Sequence, residues 1–154
     1  MDNQLSKMET RQEIAQIEQT LSECPDAYHG DTFPLFHSFA DGCYVREIQI
    51  PAGALLTGKL HRHSHPNFLM QGKVVVITEE GGQEYLEAPC YMISPAGTKR
   101  VVYVIEDCSW VTVHVTDETD LEKLEEYIIA PDYDDEELNA NQVKALEELC
   151  LSSG

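Results

Sequence analysis

The chain is poor in several things that would point to common functions. No apolar run approaches the roughly 20 residues that a membrane-spanning helix needs, so no membrane partner is expected. Basic residues are scarce, ten Lys and Arg against 28 Asp and Glu, and the formal net charge is −18. A chain so charged repels phosphate backbones, which excludes a nucleic-acid duplex as partner. The five cysteines, Cys24, Cys43, Cys90, Cys108 and Cys150, are odd in number and contain no CxxC pair. They read as reduced thiols rather than a disulfide framework or a zinc knuckle. The opening "MDNQLSKMETRQE" lacks the basic-then-apolar order of a secretion signal, so the expected location is the cytosol.

What is present fits one domain of 154 residues with an uneven charge. Residues 1–30 hold six acids and two bases, 31–116 nine and six, and 117–154 thirteen and two. Most of the acidity therefore belongs to a C-terminal appendage, expected as a solvated and partly helical tail. Residues 5–23 read as an N-terminal helical arm with Leu5, Met8, Ile14, Ile17 and Leu21 as its apolar positions. "CPDAYHGDTFP" at 24–34 breaks it.

Between 31 and 116 the period changes. "CYVREIQI", "KVVVITE", "QEYLEA", "KRVVYVI" and "SWVTVHVT" are short, rich in β-branched or aromatic residues, and bounded by turn formers. Gly81-Gly82 suits a hairpin turn. Close-spaced strands without intervening helices predict an all-β core, an antiparallel barrel or jelly roll. After Thr116 a helical period returns. "TDLE" at 119–122 reads as a capping box, Pro131 stops the first helix, "DYDDEEL" reads as mobile, and "NQVKALEEL" is amphipathic.

The chemistry-bearing stretch is "GKLHRHSHPNFLMQG", residues 58–72. On a strand His61, His63 and His65 point to one side. Imidazoles so spaced suit a divalent metal, although all three span ~13 Å, too far for one ion without a bend. The bland alternative is a row of exposed or hydrogen-bonded histidines. In "CYVREIQI" Tyr44, Arg46, Ile48 and Ile50 share a face, and the isoleucines mark it as interior. In "SWVTVHVT" Trp110, Thr112 and His114 share a face opposite Val111, Val113 and Val115.

"PAGALLTGKLHRHSHPNFLMQGKVVV" followed by "APCYMISPAGTKRVVYVI" resembles the two motif regions of the cupin superfamily, and the chain is also similar to small cupin-like proteins of tailed bacteriophages. The resemblance places His61 and His63 on the family's HxH, Gly72 on its closing glycine and Pro95-Ala96-Gly97 on its PxG. It implies a cupin-type barrel over 31–116. Two family metal ligands are replaced: Arg100 stands where a histidine would, and no glutamate lies between His63 and Gly72. The guanidinium is a fixed fork suited to carboxylate or phosphate.

Three functions follow. The first is a small-molecule binder whose pocket, lined by Tyr44, Arg46, Arg100 and Trp110, takes an anionic ligand, phosphorylated, nucleotide or carboxylated. In a phage, that ligand would be a host nucleotide or signalling metabolite, acted on or sequestered. The second is an enzyme, a hydrolase, lyase or isomerase with His61, His63 and His114 as catalytic groups. It is either metal-free or carries one divalent metal on His61, His63 and His65. The third is a non-catalytic partner-binding protein. The apolar stripes of the flanking helices lead us to expect a homodimer or larger homo-oligomer.

Overall fold

A computed structural model describes residues 12, 15, 16, 19, 33–79 and 82–152. Gln12, Ala15, Gln16 and Gln19 are helical; the rest of the helix expected over 5–23, the break at 24–32, Cys24 and Gly81 lie outside the described residues.

Among the described residues seven strands pair antiparallel: β1 (Leu35–Ala40), β2 (Cys43–Ile50), β3 (Leu55–Thr57), β4 (His65–Thr78), β5 (Gly82–Glu87), β6 (Cys90–Ser94) and β7 (Val101–Val115). Two helices follow, α1 (Leu121–Ile128) and α2 (Glu136–Ser152). This is the expected class, an antiparallel all-β core of jelly-roll type followed by C-terminal helices.

The two long strands β4 and β7 run through both halves of the sheet. Their outer halves join β1, β2 and β6 in the order β1-β2-β7-β4-β6; their inner halves join β3 and β5 in the order β3-β7-β4-β5. The register slips between Leu69, Gln71, Lys73 and Val74, where one strand bends into the second half-sheet. Gly72 sits in the bend at φ +99°, a conformation that disfavours any side chain. A Cβ there would lie 2.5 Å from the Asp107 carbonyl oxygen and 2.8 Å from the Cys108 Cα. Ile48, Ile50, Leu69 and Trp110 of one half pack against Leu56, Val74, Val76, Val102 and Val104 of the other.

Several boundaries differ from expectation. The runs "KRVVYVI" and "SWVTVHVT" are one strand, because the "EDCS" between them is absorbed as an irregularity rather than a turn. β1, β3 and β6 were not foreseen. β1 mixes polar and aromatic residues at an edge, and β3 has three residues. The N-cap of α1 is Asp120, not Thr119: its Oδ1 accepts from the Glu122 and Lys123 amides at 3.0 and 3.2 Å.

Up to Leu138 the acidic C-terminal segment packs on the core rather than standing as a solvated tail. Leu124 and Ile128 pack on Tyr44, and Ala130 and Leu138 on Leu60. Burying Leu124, Ile128 and Leu138 contributes about 2 kcal/mol each. Within "DYDDEEL", Asp135 accepts from the Leu138 amide at 3.0 Å and grips Arg62 with both oxygens, Nε–Oδ2 at 3.0 Å and Nη2–Oδ1 at 3.1 Å. Arg62 also donates to the Glu126 carbonyl, and Lys59 pairs with Glu125. The histidine segment is thereby tied to both helices.

Candidate functional site

Strand alternation and register stack the interior of the outer half-sheet in rows. Ile48, Trp110, Leu69 and Cys90 lie side by side, an apolar row. The next row holds Arg46, Thr112, Asn67 and Met92. Beyond it lie Tyr44 beside His114 and His65 beside Ser94. The interior thus turns from apolar to polar toward the end that α1 and α2 cover. Tyr44, Arg46, Trp110 and His114 take the interior face expected of them.

His61 is not on a strand. It lies in the segment before β4 and makes an isolated bridge to Ile129, while Arg62 and Ala130 exchange backbone bonds of 2.8 Å with Ile128 and Leu60. This bend, which a strand could not supply, folds His61 back over His65 and His114. Ring centroids are 4.3 Å apart for His61–His65, 4.9 Å for His65–His114 and 5.9 Å for His61–His114.

His63 corrects the expectation of three rings on one side. It faces the helices, with Nε2 3.0 Å from Glu137 Oε1 and its ring 4.6 Å from that of Tyr127. The expected set His61, His63 and His65 is therefore not brought together, and His114 takes the third place.

Asn67, fully buried, organises the floor. Its Oδ1 accepts from Trp110 Nε1 at 3.1 Å and from Arg100 Nη1 at 3.5 Å; its Nδ2 donates to Ser94 Oγ at 2.7 Å and to the His65 carbonyl at 3.3 Å. The Arg100 guanidinium lies 5.6 Å over the Trp110 ring. Asn67, which lies near the place of the missing motif glutamate, and Ser94 are not in the expected site set. The signal that would have found Asn67 is its position two residues after His65, on the same face of the strand.

Electrostatics hold the three imidazoles neutral. Burial first, then the neighbouring histidines and Arg100, pushes His61 down to about 3. Burial, followed by His65 and Arg46, brings His114 to about 3. Burial dominates at His65 too, which falls to about 4 despite a hydrogen bond to the His63 carbonyl that favours its charged form. His114 Nε2 shares a 3.0 Å hydrogen bond with Thr112 Oγ1. His61 Nδ1 and His65 Nε2 are buried and have no hydrogen-bond partner among the described residues. Tyr44 bonds His37 Nδ1 at 2.6 Å through its hydroxyl and stacks on His114 at 5.8 Å.

Neutral imidazole is the metal-binding form, but the donor set does not fit a metal centre. Among the described residues no three His, Cys, Asp or Glu side chains are grouped so as to hold an ion. One His114 nitrogen is engaged by Thr112, and the permanent cation of Arg100 acts on both His61 and His65. A cavity of about 140 Å³ on the helical side is lined by His63, Ser64, His114, Val115, Tyr127 and Ile128, so of the three clustered rings it touches His114. Among the described residues no helix is long and apolar enough to cross a membrane.

No protein-family model matches the sequence, and no curated protein is significantly similar to it. Solved structures are similar at low identity. A cupin-2 domain containing protein from Shewanella frigidimarina is 9% identical, with 65% of this chain and 92% of that one covered and a TM-score of 0.45. An RmlC-like cupin family protein from Methanocaldococcus jannaschii, described as a double-stranded β-helix, is 12% identical over 60% and 84%, at 0.46. A cupin superfamily protein from Desulfitobacterium hafniense is 10% identical over 55% and 79%, at 0.45. The likeness is one of fold.

Proposed function

We propose that this chain binds a small anionic molecule, a carboxylate or phosphate monoester, at the helix-covered end of its β-core. One observation carries the reading: His61 Nδ1 and His65 Nε2 are buried without a partner among the described residues, on neutral rings, within the field of Arg100. Buried polar atoms are nearly always hydrogen-bonded, and a ligand that donates to or accepts from the two imidazoles would satisfy them, while the positive field of Arg100 favours an anionic one. Arg46, whose charge acts on His114, adds to the positive field.

Binding is favoured over acid–base catalysis by the inner histidines. General bases work best with a pKa near the operating pH, and values of about 3 to 4 lie far from it. A catalytic reading has one observation of its own: His63, oriented by Glu137, lies on the cavity wall beside His114.

Isothermal titration of the full chain with a panel of small carboxylates and phosphate monoesters tests the proposal. At least one member is expected to bind saturably, and Arg100→Gln to weaken it tenfold or more, the loss of one charge-assisted hydrogen bond of about 1.5–3 kcal/mol. Absence of saturable binding across the panel, or equal affinity in Arg100→Gln, overturns it.

A further inference from the structure

The inner histidines are sealed from solvent. His65 is 2% exposed, and its Nε2, like His61 Nδ1, is buried without a partner among the described residues. A ligand reaches these two atoms only when an element of the fold moves aside. The strands beneath are firmly laddered: β4 pairs with β6 from His65 to Leu69 and with β7 from Asn67 onward. The cover on the helical side is held by less. Leu124 and Ile128 sit on Tyr44, Ala130 and Leu138 on Leu60, and every residue of α2 over 143–148 is exposed. The polar ties of this cover converge on one irregular loop, residues 59–63. The Arg62 amide donates to the Ile128 carbonyl and the Ala130 amide to the Leu60 carbonyl, both at 2.8 Å, and Asn141 Nδ2 donates to the Arg62 carbonyl at 2.7 Å. The Lys59–Glu125 and His63–Glu137 pairs are open to water and add little, whereas the Arg62 and Asp135 side chains are 17% and 13% exposed. From the other side the same loop is held to the β-core by the Gly97 amide, which donates to the His61 carbonyl at 2.8 Å.

We propose that α1 and α2 form a strap, latched by Asp135 on Arg62, whose release uncovers the histidine cluster and frees the loop that folds His61 over it. The strap hinges at 116–120, irregular backbone between β7 and α1 that stays fastened where the Thr116 amide donates to the Gly42 carbonyl at 3.1 Å. Opening is local, because it breaks the loop–strap bonds and two small apolar seats while the β4–β7 ladder stays whole. Closing remakes the bridge from His61 to Ile129, so admission to the site and assembly of the site are one event. The use assigned to this motion, entry of an anion, rests on the binding reading above; the motion itself does not.

Two measurements on the full chain, neither needing a ligand, test the strap separately from anion binding. In amide hydrogen exchange at pH 7 the Arg62, Gly97 and Ala130 amides are expected to share one opening equilibrium, more frequent than that of the Val104 amide, which donates to the Ala54 carbonyl within the core. Asp135→Asn removes the charge facing Arg62 and spares the α2 cap, since Asn caps a helix about as well as Asp. It is expected to speed exchange at those three amides severalfold, with Val104 exchange and the Trp110 emission maximum unchanged. Diethyl pyrocarbonate, which acylates neutral imidazole nitrogens within its reach, is expected to modify His65 far more slowly than the exposed His37, and severalfold faster in Asp135→Asn. In the unsubstituted chain, Arg62 and Ala130 amides as slow as Val104, or His65 modified as fast as His37, would overturn the proposal. A Gly97 amide indifferent to Asp135→Asn while Ala130 accelerates would overturn it as well, because the strap would then leave without freeing His61.

Discussion

Lowering the pH from 7 to 5 perturbs the buried histidine cluster more than any other part of the fold. His61, His65 and His114 hold folded-state values of about 3, 4 and 3, against 6.5 as the ordinary value. Because the folded values are the lower ones, the unfolded chain binds more protons as pH falls through 6.5. The cluster's contribution is therefore fully present above about pH 7 and is lost progressively toward pH 4. Each histidine accounts for about 2 kcal/mol between pH 7 and 5, and the three together for up to about 6 kcal/mol. That is comparable with the whole stability of many domains, about 5–15 kcal/mol, so the fold is expected to fail close to pH 5. The carboxylates of Glu125 and Asp135, held below their ordinary values by Lys59 and Arg62, lose their contribution at lower pH and do not confuse this window. Urea unfolding at pH 7.5, 6.5, 5.5 and 5.0, followed by circular dichroism, measures the slope directly. His114→Gln, which keeps a polar group beside Thr112, is expected to remove about a third of the slope. A stability constant from pH 7 to 5 would refute the burial of three neutral imidazoles.

Three further outcomes are expected. Gly72→Ala must push a methyl group into the Asp107–Cys108 backbone at positive φ, and is expected to cost more than about 3 kcal/mol or to prevent folding, read by urea unfolding and soluble yield. Asn67→Leu leaves Trp110 Nε1 and Ser94 Oγ without their shared partner, a loss of about 2–3 kcal/mol; the intrinsic emission of Trp110, the single tryptophan, reports the changed polarity around the ring. Arg62→Ala and Asp135→Asn each break the two-pronged pair that ties the histidine segment to α2, and each is expected to lower the urea midpoint. A double-mutant cycle should return a measurable coupling, and additive effects would contradict the pairing.

The fold class was legible because β-branched runs between turn formers speak directly to strands, and the interior faces of β2 and β7 followed from alternation alone. Boundaries were less legible where a local signal competes with a long-range one. Gly72 and "EDCS" look like chain breaks in sequence, yet the ladder between β4 and β7 carries both strands past them. The histidine site was half legible. His61, His114, Arg100 and Trp110 converge, but period-two reasoning put His63 among them because it presumed a strand. What bends the segment is the pairing of Leu60–Arg62 with Ile128–Ala130, a contact across nearly 70 residues that no local pattern encodes. The same contact explains why an acidic terminus that reads as solvated is folded onto the core: Arg62 gives Asp135 a partner, and Leu60 and Tyr44 give the helices an apolar seat.

Imidazole nitrogen-15 spectra, recorded at pH 7 while a binding carboxylate or phosphate monoester is added, test the site most directly. The ring signals of His61 and His65 are expected to start as those of neutral imidazoles and to move saturably, with Nδ1 of the first and Nε2 of the second moving most. Signals of protonated rings at the outset, or changes confined to His37 and His63 while the inner pair stays still, would contradict a binding site at the buried cluster.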